Sequence, residues 1–268
     1  MQYLEFRNKK IAYTDDGAGK CIVLLHGYAE SSLVWKKFRE HLVRDFRVIT
    51  IDLPGFGESE CVARIHTMEL MAEVVREILK TCNVKHCMMT GHSMGGFVTL
   101  AFARKYPRIL RGLCLFNSHP FEDTEEGKKN RERAIYLMRE NRQNYIFQFI
   151  PSLFAPKSQE KYGKEIREMV TEASKISTDS LIASSEGMKL RPDSAELLKS
   201  LEIPVLFIVG MSDLRAPLDR IGEMILLPHH SESLILKDIG HVGYIEAFDK
   251  TLRMVRDFGN KVLAENPE

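Results

Sequence analysis

The sequence has no excess of charge of either sign and no long apolar run. Its 268 residues hold 38 Lys and Arg against 37 Asp and Glu, a formal net charge of +1. The two signs are interleaved, so we expect no basic stripe for nucleic acid. The longest apolar runs, such as 21–25 and 205–209, are far shorter than the roughly 20 residues that cross a bilayer. We therefore expect neither a nucleic acid nor a membrane partner.

Cysteine is scarce, and its spacing argues against disulfide and metal frameworks. There are five cysteines, and Cys21, Cys87 and Cys114 lie in apolar runs, where a thiol usually acts as a small buried hydrophobe. No CxxC pair or Cys/His cluster has metal-ligand spacing. The first residues contain acid and no apolar signal-peptide core. We expect reduced thiols, a cytoplasmic location, no metal and no cofactor.

Short β-branched and apolar runs recur along the chain and predict strands. They fall at 3–6, 11–14, 21–25, 47–51, 86–90, 112–116, 205–209 and 233–236. Most are continuously apolar, which is typical of a parallel sheet covered on both faces. Helix-period segments lie between them, at 32–43, 68–81, 94–105, 217–226 and 247–263. This alternation predicts an α/β fold with a mostly parallel sheet, opened by an antiparallel hairpin.

The strand signal disappears between about residues 118 and 191. Charged, helix-forming stretches replace it at 125–142, 159–175 and 178–189. Pro192 and Pro204 mark the return to the sheet, because the residue before a proline is driven towards extended backbone. We therefore predict a core of residues 1–117 and 192–268, with 118–191 as an all-helical cap insertion.

A Gly-x-Ser-x-Gly pattern follows a predicted strand and opens a predicted helix, with Ser93 between Gly91 and Gly95. The pattern alone arises by chance in about one chain in ten of this length, but this context is that of a nucleophile elbow. Side chains at the two glycines would block the sharp turn. The Met94 amide opens the helix, where negative charge is favoured, so we predict it as one oxyanion donor. The alternative is that Ser93 is an ordinary helix N-cap.

The second oxyanion donor is expected in the loop after an earlier strand. The apolar run 21–25 gives way to His26, Gly27 and Tyr28, and we assign the Tyr28 amide to this role. Two such donors would stabilise a developing oxyanion by about 3 kcal/mol each.

Four segments together resemble the α/β-hydrolase superfamily, specifically its esterase-like members with a serine nucleophile and a helical cap: 25–28, 52–59, 91–96 and 239–241. The resemblance covers nearly the whole chain. It implies the α/β-hydrolase fold, with a triad in the order Ser, then Asp or Glu, then His. Asp213 follows the strand after the cap, and His241 stands near the C-terminus. Some members take the acid from the preceding strand, but that strand ends in the uncharged Asn117.

The three residues have complementary roles in this interpretation. His241 would accept the Ser93 proton, while Asp213 would fix the imidazole tautomer and stabilise its charged form. Alternatively, His241 is a loop histidine bonded to backbone and Asp213 caps a helix. We interpret His26 and His92 as structural supports beside Gly27, Gly91 and Gly95, and Asp52 as a loop organiser. His119 has no assigned role.

The sequence thus predicts a serine hydrolase of small to medium, largely apolar carboxylic esters or related acyl compounds, acting through an acyl-serine intermediate. Carbon–carbon bond hydrolysis, lactone opening, thioester cleavage and pyruvate elimination remain open, as does a non-catalytic ligand-binding receptor, because fold analogy does not choose among them. A charged substrate would require an arginine that the sequence does not place. Large side chains of the insertion either roof an apolar pocket or pack on the core; they are Tyr136, Met138, Tyr145, Phe147, Phe149 and Phe154.

Overall fold

An eight-stranded sheet forms the centre of the computed structural model, which describes residues 1–264. Its strands are β1 Gln2–Phe6, β2 Lys9–Asp16, β3 Cys21–Leu25, β4 Arg47–Ile51, β5 Cys87–His92, β6 Leu110–Phe116, β7 Val205–Gly210 and β8 Ser231–Leu236. They lie in the order β1-β2-β4-β3-β5-β6-β7-β8. β2 is antiparallel to β1 and β4, and every other pairing is parallel. The predicted parallel sheet with an antiparallel start is confirmed.

The central strands are apolar along their whole length because both of their faces are covered. Every residue of β3, β5 and β7 is buried, as expected for parallel strands under helices on both sides. The edge strand β8 instead alternates exposed and part-buried residues. Burial is therefore complete in these central strands and only partial at this edge of the sheet.

The described chain also forms helices on either side of the sheet and between β6 and β7. They are α1 Lys36–Leu42, α2 Met68–Thr81, α3 Met94–Lys105, α4 Glu125–Phe149, α5 Gly163–Ala173, α6 Thr178–Lys189, α7 Ala195–Ser200, α8 Ile221–Ile225, α9 Gly243–Glu246 and α10 Phe248–Val262. Of the predicted helices, 32–43 and 217–226 each begin as a 3₁₀ turn, at Ser32–Trp35 and Leu218–Arg220. The short helix α7 was not predicted.

The helix predicted at 125–142 continues to Phe149 through a kink. Asn141 has φ −156° and ψ 84°, outside helical values, and its side chain accepts a hydrogen bond of 2.9 Å from the Asn144 amide. That bond is the pattern of an N-cap, which restarts the helix after the kink. Within residues 1–264, the chain between β6 and β7 contains helices and no strand. Its division from the core remains a prediction, and residues 265–268 of the predicted core lie outside the described residues.

The register of the parallel strands brings several loops to one edge of the sheet. Leu25 pairs with Gly91, His92 with Phe116, and Phe116 with Ile208. The segments that follow β3, β5, β6 and β7 therefore leave the sheet side by side at its carboxyl edge. In open α/β sheets this edge is where ligands bind.

The five cysteines are unpaired thiols. Cys21, Cys87 and Cys114 are buried in strands, as predicted, and Cys82 is buried as well. Burial raises the pKa of Cys21 to about 12, so this thiol is unreactive at neutral pH. Within residues 1–264, every helix is too short or too polar to cross a membrane.

Candidate active site

Ser93 occupies a strained turn between β5 and α3. Its backbone has φ 51° and ψ −116°, a conformation that a residue with a side chain rarely adopts. The turn is fixed from both sides, since the Ser93 amide donates to the Phe116 carbonyl at 2.9 Å and the Ser118 hydroxyl donates to the Ser93 carbonyl at 2.9 Å. The Ser93 side chain makes no capping bond with α3, unlike an ordinary N-cap serine.

Gly91 and Gly95 permit this turn because the backbone around them is closely packed. A Cβ atom added at Gly91 would overlap the main chain of Gly95. One added at Gly95 would lie 2.5 Å from the Leu25 carbonyl oxygen and 2.7 Å from that of His26. No real Cβ approaches backbone so closely. The mechanical role predicted for the two glycines agrees with this geometry.

The amides of Tyr28 and Met94, which are predicted as oxyanion donors, belong to the segments that follow strands β3 and β5. Met94 is the first residue of α3, and Tyr28 stands three residues after β3. Neither amide donates a hydrogen bond to any part of residues 1–264. At Gly27 an added Cβ would lie 2.7 Å from His92 Nδ1 and 2.9 Å from Glu30 Oε2. The loop that carries Tyr28 therefore approaches the serine turn closely, and only glycine fits at its bend.

His241 and Asp213 form a buried hydrogen bond, although 28 positions separate them in the chain. Nδ1 of His241 lies 2.7 Å from Oδ2 of Asp213, and their side chains are 5% and 0% exposed. Asp213 also accepts bonds from the Arg215 amide at 2.9 Å and the Asn117 side chain at 3.0 Å. The imidazole is thus bonded to a carboxylate and not to backbone. One carboxylate oxygen of Asp213 accepts from the nearby Arg215 amide, as a helix cap does, but the other oxygen bonds His241.

The surroundings of this pair favour an ionised Asp213 and a neutral His241. Burial alone would raise the pKa of Asp213, but the charge and hydrogen bond of His241, with the bonds from Arg215 and Asn117, lower it to about 2. Burial lowers the pKa of His241, and the neighbouring Asp213 only partly opposes this. An unprotonated imidazole beside a carboxylate is the state that a general base requires.

A second histidine–carboxylate pair lies directly behind the first. Nδ1 of His92 is 3.0 Å from Oε2 of Glu30, and its Nε2 is 2.9 Å from the carbonyl oxygen of His241. Glu30 also accepts from the Gly27 amide at 2.7 Å and the Tyr244 hydroxyl at 2.9 Å. Both side chains are almost wholly buried. His92 therefore connects the Tyr28 loop to the loop that carries His241.

Both ring nitrogens of His92 face hydrogen-bond acceptors, Oε2 of Glu30 and the carbonyl oxygen of His241, and this favours the charged form of the ring. Burial by itself would lower the pKa of His92, but the charge and hydrogen bond of Glu30 raise it above the ordinary value. The pKa of Glu30 falls to about 2, because the His92 charge and its hydrogen bonds outweigh the effect of burial. Both ring nitrogens of His92 are then donors. The sequence indicated a structural role for His92, but it gave no sign of Glu30.

His26 and Asp52 form hydrogen bonds with the backbone of neighbouring loops. His26 donates from Nδ1 to the Gly27 carbonyl at 2.7 Å and accepts from the Leu53 amide at 2.9 Å through Nε2. Burial lowers the pKa of His26, so the ring is neutral. Asp52 accepts a bond of 2.9 Å from the Glu58 amide. These contacts fix the turns beside the site and leave neither group available as a base.

Ser93 and His241 line the same cavity, of about 430 Å³. One face of α4 contributes to the lining of this cavity, at positions three and four apart along the helix; these are Gly127, Asn130, Arg131 and Ala134. Of the large side chains expected to roof a pocket, Tyr145 and Phe149 line the cavity. The others are either buried away from it or exposed: Met138, Phe154, Tyr136 and Phe147.

The cavity wall also carries charge that the sequence did not predict. Arg131, Arg215 and Asp123 all contribute to the lining, together with His119. Two arginines, Arg131 and Arg215, therefore lie in the cavity where a charged substrate would need one. Within residues 1–264, no group of three or more His, Cys, Asp or Glu side chains is placed to hold a metal ion.

Comparison with known proteins gives a family for this architecture. Residues 20–248 match the family model described as alpha/beta hydrolase fold. The chain is 30% identical to a thermophilic esterase from Thermogutta terrifontis, solved with malate bound, over 98% of this chain and 100% of that one, with a TM-score of 0.92.

Two curated relatives match over almost their full length. The 2-hydroxy-6-oxononadienedioate/2-hydroxy-6-oxononatrienedioate hydrolase of Paraburkholderia phymatum is 24% identical over 93% of this chain and 90% of its own. The (E)-2-((N-methylformamido)methylene)succinate hydrolase of Acinetobacter baylyi is 23% identical over 92% and 93%, respectively. The chain belongs to the α/β-hydrolase family, and it is a hydrolase by class.

Proposed function

We propose that this protein is a serine hydrolase that cleaves small to medium carboxylic esters or related acyl compounds, with Ser93 as nucleophile, His241 as general base and Asp213 as the acid that orients the base. The observation that carries the proposal is the buried 2.7 Å bond between His241 and Asp213, beside a serine in a strained turn on the same cavity. A nucleophile, a base and an orienting acid are the groups that acyl transfer requires.

The reaction follows from these groups. Ser93 Oγ attacks the substrate carbonyl carbon while His241 Nε2 takes the hydroxyl proton. The carbonyl oxygen becomes an oxyanion, which the Tyr28 and Met94 amides stabilise. The intermediate expels the alcohol, which receives the proton from His241, and leaves the acyl group on Ser93. Water, deprotonated by His241, then attacks the acyl-enzyme. His241 returns this proton to Ser93 Oγ as the bond to the acyl group breaks and the carboxylic acid leaves.

We also propose that residues 118–191 act as a cap over this site. The support is the cavity itself, because α4 and α6 supply one wall of it through residues such as Arg131 and Met188, while the loops of the sheet edge supply the other. A cap in this position separates the acyl-enzyme from bulk water and shapes the pocket for the substrate. The aromatic rings of Tyr145 and Phe149 would contact the apolar part of the substrate predicted from the sequence.

A second candidate reaction is hydrolysis of a carbon–carbon bond next to a ketone. The substrate in the name of the Paraburkholderia phymatum relative has a ketone and two carboxylates and no ester. Its hydrolysis therefore has to break a carbon–carbon bond. The same serine, base and oxyanion donors serve this chemistry, since the first step is again addition to a carbonyl.

The test is a substrate panel assayed with the purified wild type and Ser93→Ala. It contains p-nitrophenyl esters of increasing acyl length, a lactone and a diketone. We expect turnover of at least one acyl compound by the wild type, and loss of that turnover in Ser93→Ala. No turnover of any compound by folded wild type would contradict the proposal. Ligand binding without turnover, unchanged in Ser93→Ala, would instead indicate a receptor.

A further inference from the structure

The lining of the cavity that contains Ser93 carries positive charge that the proposed reaction does not use. Arg215 is one source of it. Its guanidinium donates to the carbonyl and hydroxyl oxygens of Ser152 at 3.0 and 2.9 Å, and it lies 4.7 Å from the ring centre of Phe149. Arg215 takes part in none of the salt bridges of residues 1–264; Asp213, whose charge acts on its pKa, bonds His241 instead. Burial lowers the pKa of Arg215, so holding the cation there costs free energy.

Arg131 belongs to a cluster in which cations outnumber anions. The carboxylate of Asp123 lies between two guanidiniums, those of Arg131 and Arg191. Arg191 lies 2.8 Å from Asp123, and its side chain is only 4% exposed. A single carboxylate neutralises one of the two arginines. Glu122, which is exposed, adds further negative charge near Arg191, and Arg131 and Asp123 are the members of the cluster that line the cavity.

His119 adds an unused hydrogen-bonding group to the same cavity lining. Burial lowers the pKa of His119 to about 3, so its ring is neutral. Its Nδ1 atom is buried and has no hydrogen-bond partner in residues 1–264. A buried polar atom without a partner is costly, and such atoms are usually satisfied by a ligand or water.

Fewer carboxylates than arginines are shielded from solvent here. Asp123 and Asp213 are the shielded carboxylates next to Arg131, Arg191 and Arg215, while Glu122, which also acts on Arg191, is exposed. The Glu30–His92 pair carries one charge of each sign. Among the groups shielded from solvent, cations therefore outnumber carboxylates beside the cavity that Ser93 lines.

We propose that this cavity binds the free carboxylate of its substrate, which is an anionic acyl compound such as a monoester of a dicarboxylic acid. Arg131 and Arg215 would bind the carboxylate, while the ester carbonyl lies at Ser93. The two guanidiniums already donate to Asp123, Met188 and Ser152. Each guanidinium has five N–H donors, so N–H groups remain on both for a substrate carboxylate. This inference rests on the proposed function. It also refines the predicted apolar substrate, because Tyr145 and Phe149 would contact the apolar part of the substrate between its carboxylate and its ester.

The experiment compares two esters of matched acyl length, mono-p-nitrophenyl glutarate and p-nitrophenyl pentanoate. We expect the wild type to have the higher kcat/KM for the glutarate, mainly through a lower KM. Arg131→Gln and Arg215→Gln should each lower the glutarate-to-pentanoate ratio of kcat/KM by about tenfold, as expected for losing one charge-assisted hydrogen bond. Arg131→Lys, which keeps the charge, should retain part of the preference.

Arg133→Gln is the matched control. Arg133 lies on α4 two residues from Arg131, but its side chain is 69% exposed, so the ratio should not change. A ratio near one in the wild type, unchanged in the Arg131 and Arg215 variants, would overturn the inference and leave the proposed function standing. Persistent hydrolysis of both esters by Ser93→Ala would instead refute the proposed function.

A binding measurement tests the inference without relying on turnover. Glutarate dianion should bind the folded Ser93→Ala protein in calorimetry, and Arg131→Gln added to that background should weaken the binding by about tenfold. Absence of glutarate binding to folded Ser93→Ala would overturn the inference. Binding that Arg131→Gln and Arg215→Gln leave unchanged would overturn it as well.

Discussion

The imidazole of His92 holds the main chain of His241, through a 2.9 Å bond from Nε2 to the His241 carbonyl oxygen. The amide of His241 is held in turn by the Leu153 carbonyl at 2.7 Å, and the preceding Gly240 amide by Glu246 at 2.8 Å. The proposed base is therefore fixed through its backbone as well as through Asp213. Proper orientation of a base contributes strongly to catalysis.

Replacement of Glu30 should disturb this arrangement. Glu30→Gln removes the carboxylate that keeps His92 charged, so we expect a loss of about 3 kcal/mol in the free energy of unfolding. Because His92 is a positioning residue for His241, kcat should fall while KM changes little. Urea unfolding and steady-state kinetics on a p-nitrophenyl ester measure the two effects.

Glu223→Gln is the control for that variant. Glu223 pairs with Arg220 on the surface, with side chains 49% and 42% exposed, and exposed pairs contribute at most about 1 kcal/mol. If Glu30→Gln were as stable and as active as Glu223→Gln, the buried pair would have no positioning role.

The pH dependence of turnover should report the state of His241. Burial lowers the pKa of His241 below its ordinary value of 6.5. A general base works in its unprotonated form, so kcat/KM should rise with pH and reach half its plateau below pH 6.5. A pH–rate profile with a neutral ester, whose own charge does not change in this range, measures that midpoint. A midpoint above pH 6.5 would show that Asp213 raises the pKa of His241 by more than burial lowers it.

The close packing of the serine turn predicts the effect of one added methyl group. Gly95→Ala would place a Cβ 2.5 Å from the Leu25 carbonyl oxygen, so backbone has to move, at a cost of about 1–3 kcal/mol. The shift displaces Ser93 and lowers kcat. Gly222→Ala is the control, because nothing lies within 4 Å of its added Cβ and alanine favours the helix. Equal stability of the two variants in thermal unfolding would contradict the close-packing argument.

The sequence predicted the parts of this molecule that depend on local signals. Continuous apolar runs gave β3 and β7, and the glycines around Ser93 gave the strand–turn–helix, because burial and backbone geometry act on neighbouring residues. The resemblance to the α/β-hydrolase superfamily, with its order of Ser, acid and His, implied Asp213 and His241, and their roles remain a prediction. The kink at Asn141 depends on one side-chain bond and was not predicted.

Other site residues depend on tertiary packing and give no local signal. Glu30 meets His92 across 62 positions of sequence. α4 carries arginines on several faces, and only its docking decides that Arg131 lines the cavity while Arg133 is exposed. Arg215 follows Asp213 in a loop, where its direction is set by Ser152. For this reason the sequence alone indicated a more apolar cavity than the structure contains.

The most direct test of the account is covalent labelling of Ser93 by a fluorophosphonate, followed by mass spectrometry of the peptides. We predict one adduct per wild-type chain, located on Ser93, no adduct on folded Ser93→Ala, and much slower labelling of Asp213→Asn, whose imidazole lacks its orienting carboxylate. A folded wild type that stays unlabelled, or an adduct that forms equally on Ser93→Ala, would contradict the claim that Ser93 is a nucleophile activated by His241.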